Sequence, residues 1–413
     1  MRGSTPAVIG RWLALGAALG ACSDPAEEAR RPAAAPRAWQ AQYRGDPQRR
    51  GVAPAGARLD GPLRLVWRTP ALGIGGYTAA KSSPAVDDEA VYVGEDDGRL
   101  YAIDRVNGAV AWAFTTRRHD EEARDPPADG AFTGIHGSPA CDEERVYVGD
   151  YAGWLYAVDK RTGELVWEAG LGGSIGASPL LVEDALYIAV EEPDPDGLVV
   201  GVRPTTGEVT YRSDWLGHHP HSSVSWLSGA LFVGSNGGVL RRFDPPAATA
   251  VFAAQTGGPI KSTAAVVEEG DAGATAYFTS FDGRLYAVNA DRGATRFEVE
   301  TGAESLSSPA VVEDRVVFGS HDGRVRCVDA ATGALHWSFV AGAWVASSPT
   351  VVPSSRLVVV GTNAGEVLGL DLDRGEVRFR VTLDAPVTSV PVVVDRSLFV
   401  NDDAGTVYRF DGI

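Results

Sequence analysis

The chain has 413 residues, among them 49 glycines and 25 prolines, and its formal net charge is −17. Its hydrophobic share of 44% is enough for a large core, which excludes disorder throughout, and the absence of a Gly-X-Y period excludes collagen. A body this acidic repels phosphate backbones, so nucleic-acid binding is excluded as well.

The first 21 residues have the features of an export signal. Arg2 and Arg11 precede an apolar run, residues 12–21, which is too short to span a bilayer. The end of this run and the next residue, Leu19-Gly20-Ala21-Cys22, resemble the lipobox of bacterial lipoproteins. This resemblance implies cleavage before Cys22 and lipid attachment to its sulfur. The alternative is an ordinary signal peptide followed by a chance cysteine. We therefore predict a lipoprotein signal peptide over 1–21, with Cys22 as the lipid attachment site.

Residues 22–60 are predicted to be a membrane tether with an N-terminal docking segment. The stretch around Pro32-Ala33-Ala34-Ala35-Pro36 buries little and favours an extended linker. Residues 39–51 differ, because Trp39 and Tyr43 supply aromatic surface that can dock on a folded domain.

From residue 61 onwards one motif recurs eight times. Residues 98–104, Gly-Arg-Leu-Tyr-Ala-Ile-Asp, return almost unchanged as 153–159 and 283–289, and weaker copies begin at Gly197, Gly238, Gly323, Gly365 and Gly405. A β-branched run and a hairpin signal such as Asp97-Gly98 precede the motif, and a second turn and an aromatic residue follow it. Four short strands at a period of about 40 residues predict one blade of a β-propeller per repeat.

The repeats are predicted to close into a ring. The last repeat ends at Ile413 without a fourth strand, while a strand over 63–69 carries Trp67 at the aromatic position that Trp167 has in its own repeat. The predicted fold is therefore all-β, an eight-bladed β-propeller of four-stranded antiparallel blades over 61–413. Strand 63–69 completes the last blade and removes a free sheet edge.

The motifs Ser-Ser-Pro-Ala-Val, Val-Tyr-Val-Gly and Thr-Gly-x-x-x-Trp resemble the pyrroloquinoline-quinone-like (PQQ-like) propeller repeat, and the resemblance covers 61–413. A lipobox followed by eight such repeats resembles the scaffold lipoproteins of the outer-membrane β-barrel assembly machinery. This resemblance implies a monomeric, non-enzymatic propeller at the outer membrane, facing the periplasm and bound to an envelope protein. The repeat by itself indicates a fold and leaves the function open.

The cysteines argue against a quinoprotein enzyme. The resemblance implies that the PQQ-binding members of the repeat family use adjacent cysteines, a calcium ion and an Asp base. After Cys22 the chain has only Cys141 and Cys327, which belong to repeats two and six and are too far apart for a disulfide. We expect no PQQ or other cofactor, no metal site and no catalytic residue. A degenerate quinoprotein oxidoreductase is kept as the third alternative.

Two loop features have open interpretations. His218-His219-Pro220-His221 offers metal-binding side chains without a carboxylate or cysteine at ligand spacing, so a polar loop is favoured over a metal site. The insert over 117–134 is the longest loop between repeats, and it is either a disordered rim loop or a partner-binding element.

One set of positions predicts a site at the mouth of the central channel. The set consists of the residue two positions before the second residue of the Ser-Ser-Pro motif, or of its equivalent, in each repeat. Its members are Lys81, His136, Gly176, His221, Lys261, Leu306, Ala346 and Thr388. The loop into each innermost strand opens at the channel, so the four basic residues of this set are predicted to bind a small anion or an acidic peptide inside an acidic rim. Chance placement of solvated side chains is the alternative. The second functional reading is thus a periplasmic ligand-binding or sensory propeller that holds a small anion or a PQQ-like molecule.

Overall fold

The structure is a computed structural model that describes residues 41–73, 82–117, 134–192, 196–270 and 273–413. In these ranges 32 strands form eight antiparallel sheets of four strands each. The predicted all-β, eight-bladed propeller is confirmed. The signal peptide, Cys22, Lys81 and residues 118–133 of the predicted insert lie outside the described residues.

The strands follow one another blade by blade. Strand β1 is Leu63–Arg68. The first blade contains β2 (Ala85–Val86), β3 (Ala90–Gly94), β4 (Arg99–Asp104) and β5 (Val110–Thr115). The second contains β6 (Ala140–Cys141), β7 (Arg145–Gly149), β8 (Trp154–Asp159) and β9 (Leu165–Gly170). The third contains β10 (Leu180–Val182), β11 (Ala185–Glu191), β12 (Gly197–Val202) and β13 (Val209–Arg212). The fourth contains β14 (Ser225–Leu227), β15 (Ala230–Gly234), β16 (Val239–Phe243) and β17 (Ala250–Gln255).

The second half of the ring repeats this plan. The fifth blade contains β18 (Ala265–Glu268), β19 (Ala274–Ser280), β20 (Arg284–Asn289) and β21 (Thr295–Glu300). The sixth contains β22 (Ala310–Val312), β23 (Arg315–Gly319), β24 (Arg324–Asp329) and β25 (Leu335–Val340). The seventh contains β26 (Thr350–Val352), β27 (Leu357–Gly361), β28 (Glu366–Asp371) and β29 (Val377–Thr382), with the short 3-10 helix Pro353–Ser355 between β26 and β27. The eighth contains β30 (Val392–Val394), β31 (Ser397–Asn401) and β32 (Val407–Gly412). The helical part of the described chain contains no segment long and apolar enough to cross a membrane.

Strand β1 closes the ring as predicted. It pairs antiparallel with β32, from Leu63 opposite Gly412 to Arg68 opposite Tyr408, and becomes the outermost strand of the eighth blade. First and last parts of the propeller therefore share one sheet, so the ring cannot open without breaking these hydrogen bonds.

In six of the eight blades an aromatic residue docks on a glycine of the next blade. The indole of Trp67 covers Gly108, where a Cβ would lie 2.7 Å from the ring, and its Nε1 donates to the carbonyl of Arg105 at 3.1 Å. Gly108 has a φ of +78°, a conformation that glycine adopts without strain. The same aromatic-on-glycine contact is made by Trp112 on Gly163, Trp167 on Gly207, Phe252 on Gly293, Phe297 on Gly333 and Trp337 on Gly375.

The second hydroxyl of the Ser-Ser-Pro motif links neighbouring blades around the channel. Each of these hydroxyls accepts the backbone N–H of the equivalent residue in the preceding blade, at 2.8 to 3.0 Å. We call this set the hydroxyl ring: Ser83, Ser138, Ser178, Ser223, Thr263, Ser308 and Ser348. Val390 has the eighth position, so the ring lacks its link between the seventh and eighth blades.

The N-terminal segment, residues 41–60, lies along the inner strands of successive blades. The amides of Cys141, Trp226, Val266, Val311 and Val351 donate at 2.7 to 3.0 Å to the carbonyls of Ala41, Pro47, Gln48, Arg50 and Gly51. Ala53, Ala57 and Leu59 then enter the core shared by the seventh and eighth blades. Docking of residues 39–51 was predicted, and Trp39 of that stretch lies outside the described residues. The structure carries the contact further, through Leu59, and places it beside the missing link of the hydroxyl ring.

Two arginines of the N-terminal segment are fully buried. Arg49 donates through Nε to the carbonyl of Val224 at 3.1 Å and through Nη2 to that of Pro179 at 2.9 Å. Arg44 donates to the carbonyls of Pro309 and Pro349. Burial lowers the pKa of each guanidinium to about 10, so both stay charged at neutral pH. The carbonyl oxygens replace the water that these cations lose.

Candidate functional site

A cavity of about 380 Å³ lies between the innermost strands, and the hydroxyl ring forms part of its wall. Tyr43 of the N-terminal segment also lines it, with its hydroxyl 3.3 Å from Oγ of Ser308. The N-terminal segment therefore contributes to the cavity wall.

The structure places the described members of the predicted set on this cavity. His136, His221 and Lys261 all line it, and so do the neutral members of the set, Gly176, Leu306, Ala346 and Thr388. Lys81 lies outside the described residues. The repeat alignment therefore predicted which residues share the channel, while anion binding by them stays a prediction.

The two histidines face carboxylates. Nε2 of His136 lies 3.4 Å from Oδ1 of Asp96, and the imidazole packs against the Tyr151 ring at a tilt of 40°, with ring centroids 4.8 Å apart. Nδ1 of His221 lies 3.3 Å from Oε1 of Glu191. The mouth is consequently less cationic than the sequence predicted, because each histidine meets a negative charge from a neighbouring hairpin.

Glu191 is a residue that the sequence argument missed as a histidine partner. Its carboxylate also lies 3.7 Å from Nδ1 of His219 and 3.4 Å from the hydroxyl of Tyr151. The sequence has no carboxylate at ligand spacing in the histidine loop, and Glu191, a residue of the predicted acidic rim, is distant from that loop along the chain. The repeat alignment, which brings the hairpins of adjacent blades together, was the signal from which this contact could have been predicted.

Lys261 has a different environment. Its Nζ lies 4.8 Å from the centroid of the Phe281 ring, a cation–π contact. Across the described chain it forms no ion pair, whereas Lys160 pairs with the buried Asp87 at 3.0 Å. Lys261 is thus a cation on the cavity wall with an aromatic neighbour.

An acidic cluster lies where the hairpins of the first and eighth blades meet. Glu95 is only 2% exposed, and its Oε1 has no hydrogen-bond partner among the residues described. Burial, followed by the charges of Asp96, Asp97 and Asp402, raises the pKa of Glu95 well above its usual value. Burial likewise raises the pKa of Asp403. Both carboxyls therefore favour the protonated form more than an exposed acid does.

Glu95→Gln is expected to stabilise the protein at pH 8 by about 1–3 kcal/mol. A raised folded pKa means that the folded state binds more protons than the unfolded state above pH 4.5. The wild type therefore loses stability as the pH rises through the folded pKa, and the amide does not. Urea unfolding at several pH values measures the difference, which should shrink towards pH 4.5.

The control for this comparison is Glu89→Gln, an exposed acid of the same blade, which should change stability by less than about 0.5 kcal/mol. A Glu95→Gln variant that is less stable than the wild type at pH 8 would show that the carboxylate is compensated.

The mouth face also presents apolar surface. Trp215 and Trp344, in the loops that enter the fourth and seventh blades, are 60% and 57% exposed. The indole of Trp344 stacks on His321 with centroids 4.9 Å apart. Exposed indoles are frequent in protein interfaces because they bury much area with little loss of side-chain entropy.

The two cysteines lie away from the channel. Cys141 and Cys327 are both free and buried in blade cores, in β6 and β24. Burial raises the pKa of Cys327 to about 12 and that of Cys141 further. Neither thiol lines the cavity, and both fill small core positions.

One cluster in the described part of the chain has metal-ligand types in proximity. It consists of Asp314, Asp329 and His336 on the outer side of the sixth blade, and two of the three are exposed. Thr332 lowers the pKa of Asp329 by hydrogen bonding to it. The cluster is far in the fold from the channel residues and is compatible with an ordinary acidic surface.

Comparison with known families decides the family of this chain. The family model described as outer membrane protein assembly factor BamB matches residues 61–114, 115–247, 195–379 and 321–412. The chain belongs to this family. The PQQ-like repeat predicted from the motifs is thereby confirmed.

Individual relatives are more distant. The outer membrane protein assembly factor BamB of Legionella pneumophila (strain Paris) is 26% identical over 165 residues, which cover 39% of each chain. The chain thus spans about two fifths of that relative's length.

Two solved structures share the fold. BamB from Moraxella catarrhalis has a TM-score of 0.65 at 18% identity, covering 84% of this chain and 99% of its own. The quinohemoprotein alcohol dehydrogenase from Comamonas testosteroni has a TM-score of 0.74 at 14% identity, covering 92% of this chain and 81% of its own. Because an outer membrane protein assembly factor and an alcohol dehydrogenase share this propeller, the fold alone does not decide the function.

Proposed function

We propose that the protein is a non-enzymatic scaffold of the bacterial cell envelope, anchored to the outer membrane and acting in outer-membrane protein assembly as a BamB-like factor. Membership of the BamB family is the observation that carries this proposal. Its partner would be an envelope protein, with the barrel assembly machinery as the first candidate.

The residues of the channel support a role without quinone chemistry. A PQQ enzyme of this repeat family is expected to hold its cofactor over adjacent cysteines, and here both described cysteines are enclosed in the cores of separate blades. The cavity wall instead consists of hydroxyls, two histidines, a lysine and apolar side chains. We therefore infer that the protein neither binds PQQ nor oxidises alcohols.

The mouth face is the docking surface in this proposal. Trp215 and Trp344 supply exposed apolar area on loops held by rigid blades, and loops on a rigid scaffold are suited to recognition. The outer strands offer a second mode, because each blade ends in an edge strand such as β5 or β9 to which a partner strand can add. Every blade also has an irregularity between its two outer strands, as between Ala102 and Ile103, which twists that edge and limits unspecific pairing.

The anchor in this proposal is lipid on Cys22. Several acyl chains hold a protein firmly at a bilayer, since each buried CH₂ contributes about 0.8 kcal/mol. The short stretch between Cys22 and Ala41, where the described chain begins, would connect the lipid to the propeller.

The test is affinity purification of the full-length protein from detergent-solubilised native membranes, with the bound proteins identified by mass spectrometry. Wild type should co-purify barrel-assembly proteins, and Trp215→Ser/Trp344→Ser should lose at least about 90% of them because central apolar anchors dominate interface energy. Cys22→Ala should leave the membrane fraction and the detergent phase. Val106→Ser is the matched control, because it removes an exposed apolar side chain from a turn between β4 and β5.

Barrel-assembly proteins that stay bound to the double tryptophan variant would place the docking surface elsewhere. Their absence from the wild-type purification would contradict the scaffold proposal itself. Unchanged detergent partitioning of Cys22→Ala would contradict the lipid anchor.

A further inference from the structure

We propose that the channel cavity binds a small monocarboxylate with an apolar or aromatic body, and that Lys261 holds the carboxylate. This binding site is independent of the scaffold function, which uses the outer parts of the mouth face. The argument rests on the distribution of charge, apolar surface and hydroxyls around the cavity.

The charge distribution selects Lys261 as the anion-binding group. Of the three basic residues that line the described cavity, His136 and His221 face Asp96 and Glu191. Lys261 instead faces the ring of Phe281 and forms no ion pair with any described residue. A carboxylate that reaches its ammonium group meets a cation that none of the described residues neutralises.

Apolar side chains lie next to Lys261 on the same side of the cavity. Phe281, Leu306 and Ala346 come from the fifth, sixth and seventh blades and line the wall in succession. Leu306 is 37% exposed, an unusual condition for a leucine enclosed by a ring of blades. An apolar or aromatic ligand body would cover these surfaces and remove them from water.

The hydroxyl ring supplies polar groups below this wall. Thr263 and Ser308 also line the cavity. Thr263 follows Lys261 by two residues in the sequence, and Ser308 follows Leu306 by the same distance. Tyr43 adds a phenol hydroxyl to the wall beside Ser308. A volume of about 380 Å³ falls in the range of known small-molecule sites and admits one small ligand only.

The carboxylates that face the two histidines limit the ligand to one negative charge. Asp96 and Glu191 lie beside the two histidines, and the acidic cluster around Glu95 continues from there towards the eighth blade. A second or third carboxylate on the ligand would approach these groups and be repelled. Polycarboxylates, PQQ among them, are therefore expected to bind more weakly than a monocarboxylate of similar size.

The experiment titrates the full-length protein in detergent by calorimetry with indole-3-acetate and with its neutral counterpart, indole-3-acetamide. The acetate should bind at least about tenfold more tightly than the amide, as expected for loss of a charge-assisted hydrogen bond. Lys261→Met should weaken acetate binding by a similar factor and leave the amide unaffected, while Lys261→Arg should retain binding. Ala346→Phe should block both probes by filling the cavity.

Controls exclude unspecific and structural effects. Arg161→Met removes an exposed cation from a turn of the second blade and should leave acetate binding unchanged. Melting temperatures of the variants without ligand should match the wild type, so that lost binding is not lost folding. Equal affinity for acetate and amide, acetate binding that survives Lys261→Met, or no binding of either probe at about 10 mM would each overturn the proposal. Tighter binding of PQQ than of indole-3-acetate would overturn the restriction to one carboxylate.

Discussion

Trp67→Ala is expected to lower the free energy of unfolding of the whole propeller by about 3–5 kcal/mol, the range for removing a buried aromatic residue. Trp67 lies on β1, is only 8% exposed, and packs with Val91, Val93 and Phe399 in the core between the first and eighth blades. Its loss creates a cavity at the closure of the ring and leaves the Arg105 carbonyl without the indole donor. Urea unfolding measures the change.

Trp344→Ala is the matched control, because this tryptophan is exposed on a loop and contributes little to the core. Its expected cost is below about 1 kcal/mol. A harsher version of the test deletes residues 61–70, which removes β1, and compares this variant with a deletion of 23–37. The first should melt at a clearly lower temperature. Equal melting temperatures for the two deletions would contradict the closure of the ring by β1.

Arg49→Met is expected to destabilise the protein by about 3–5 kcal/mol. Methionine keeps much of the side-chain volume and removes the guanidinium. The carbonyls of Tyr43, Pro179 and Val224 would then lose the donor that Arg49 supplies, and the bonds to Pro179 and Val224 are buried. Arg49 joins the N-terminal segment to two blades, because the carbonyls of Pro179 and Val224 belong to the third and fourth blades. Without the guanidinium the segment should loosen from the ring. Chemical unfolding gives the stability, and limited proteolysis after residue 40 reports the release of the segment.

The neighbouring Arg50→Met is the control for this variant. Arg50 is exposed and pairs with Asp46 at 2.7 Å, a surface ion pair of the kind that contributes about 0–1 kcal/mol. Similar stabilities for Arg49→Met and Arg50→Met would show that the buried guanidinium is not what holds the N-terminal segment.

The sequence by itself determined the fold because it contains the repeat eight times. Turn glycines, strand runs and the aromatic positions are local features, and their period gives the number of blades without knowledge of any contact. The closing strand was predictable for the same reason, since Trp67 is an aromatic position without a repeat of its own. Repetition also aligned Lys261, His136 and His221, because equivalent positions in equivalent blades face the same axis.

Only the tertiary structure decided the electrostatics of the channel and the role of the N-terminal segment. The pairing of His221 with Glu191 joins different blades, and the burial of Glu95 depends on the meeting of the first and eighth blades. Arg44 and Arg49 were not singled out within the predicted docking segment, yet both bind backbone carbonyls of distant blades. A repeat pattern records what the blades have in common, whereas charge pairing and burial depend on the residues in which they differ and on the distances that closing the ring imposes.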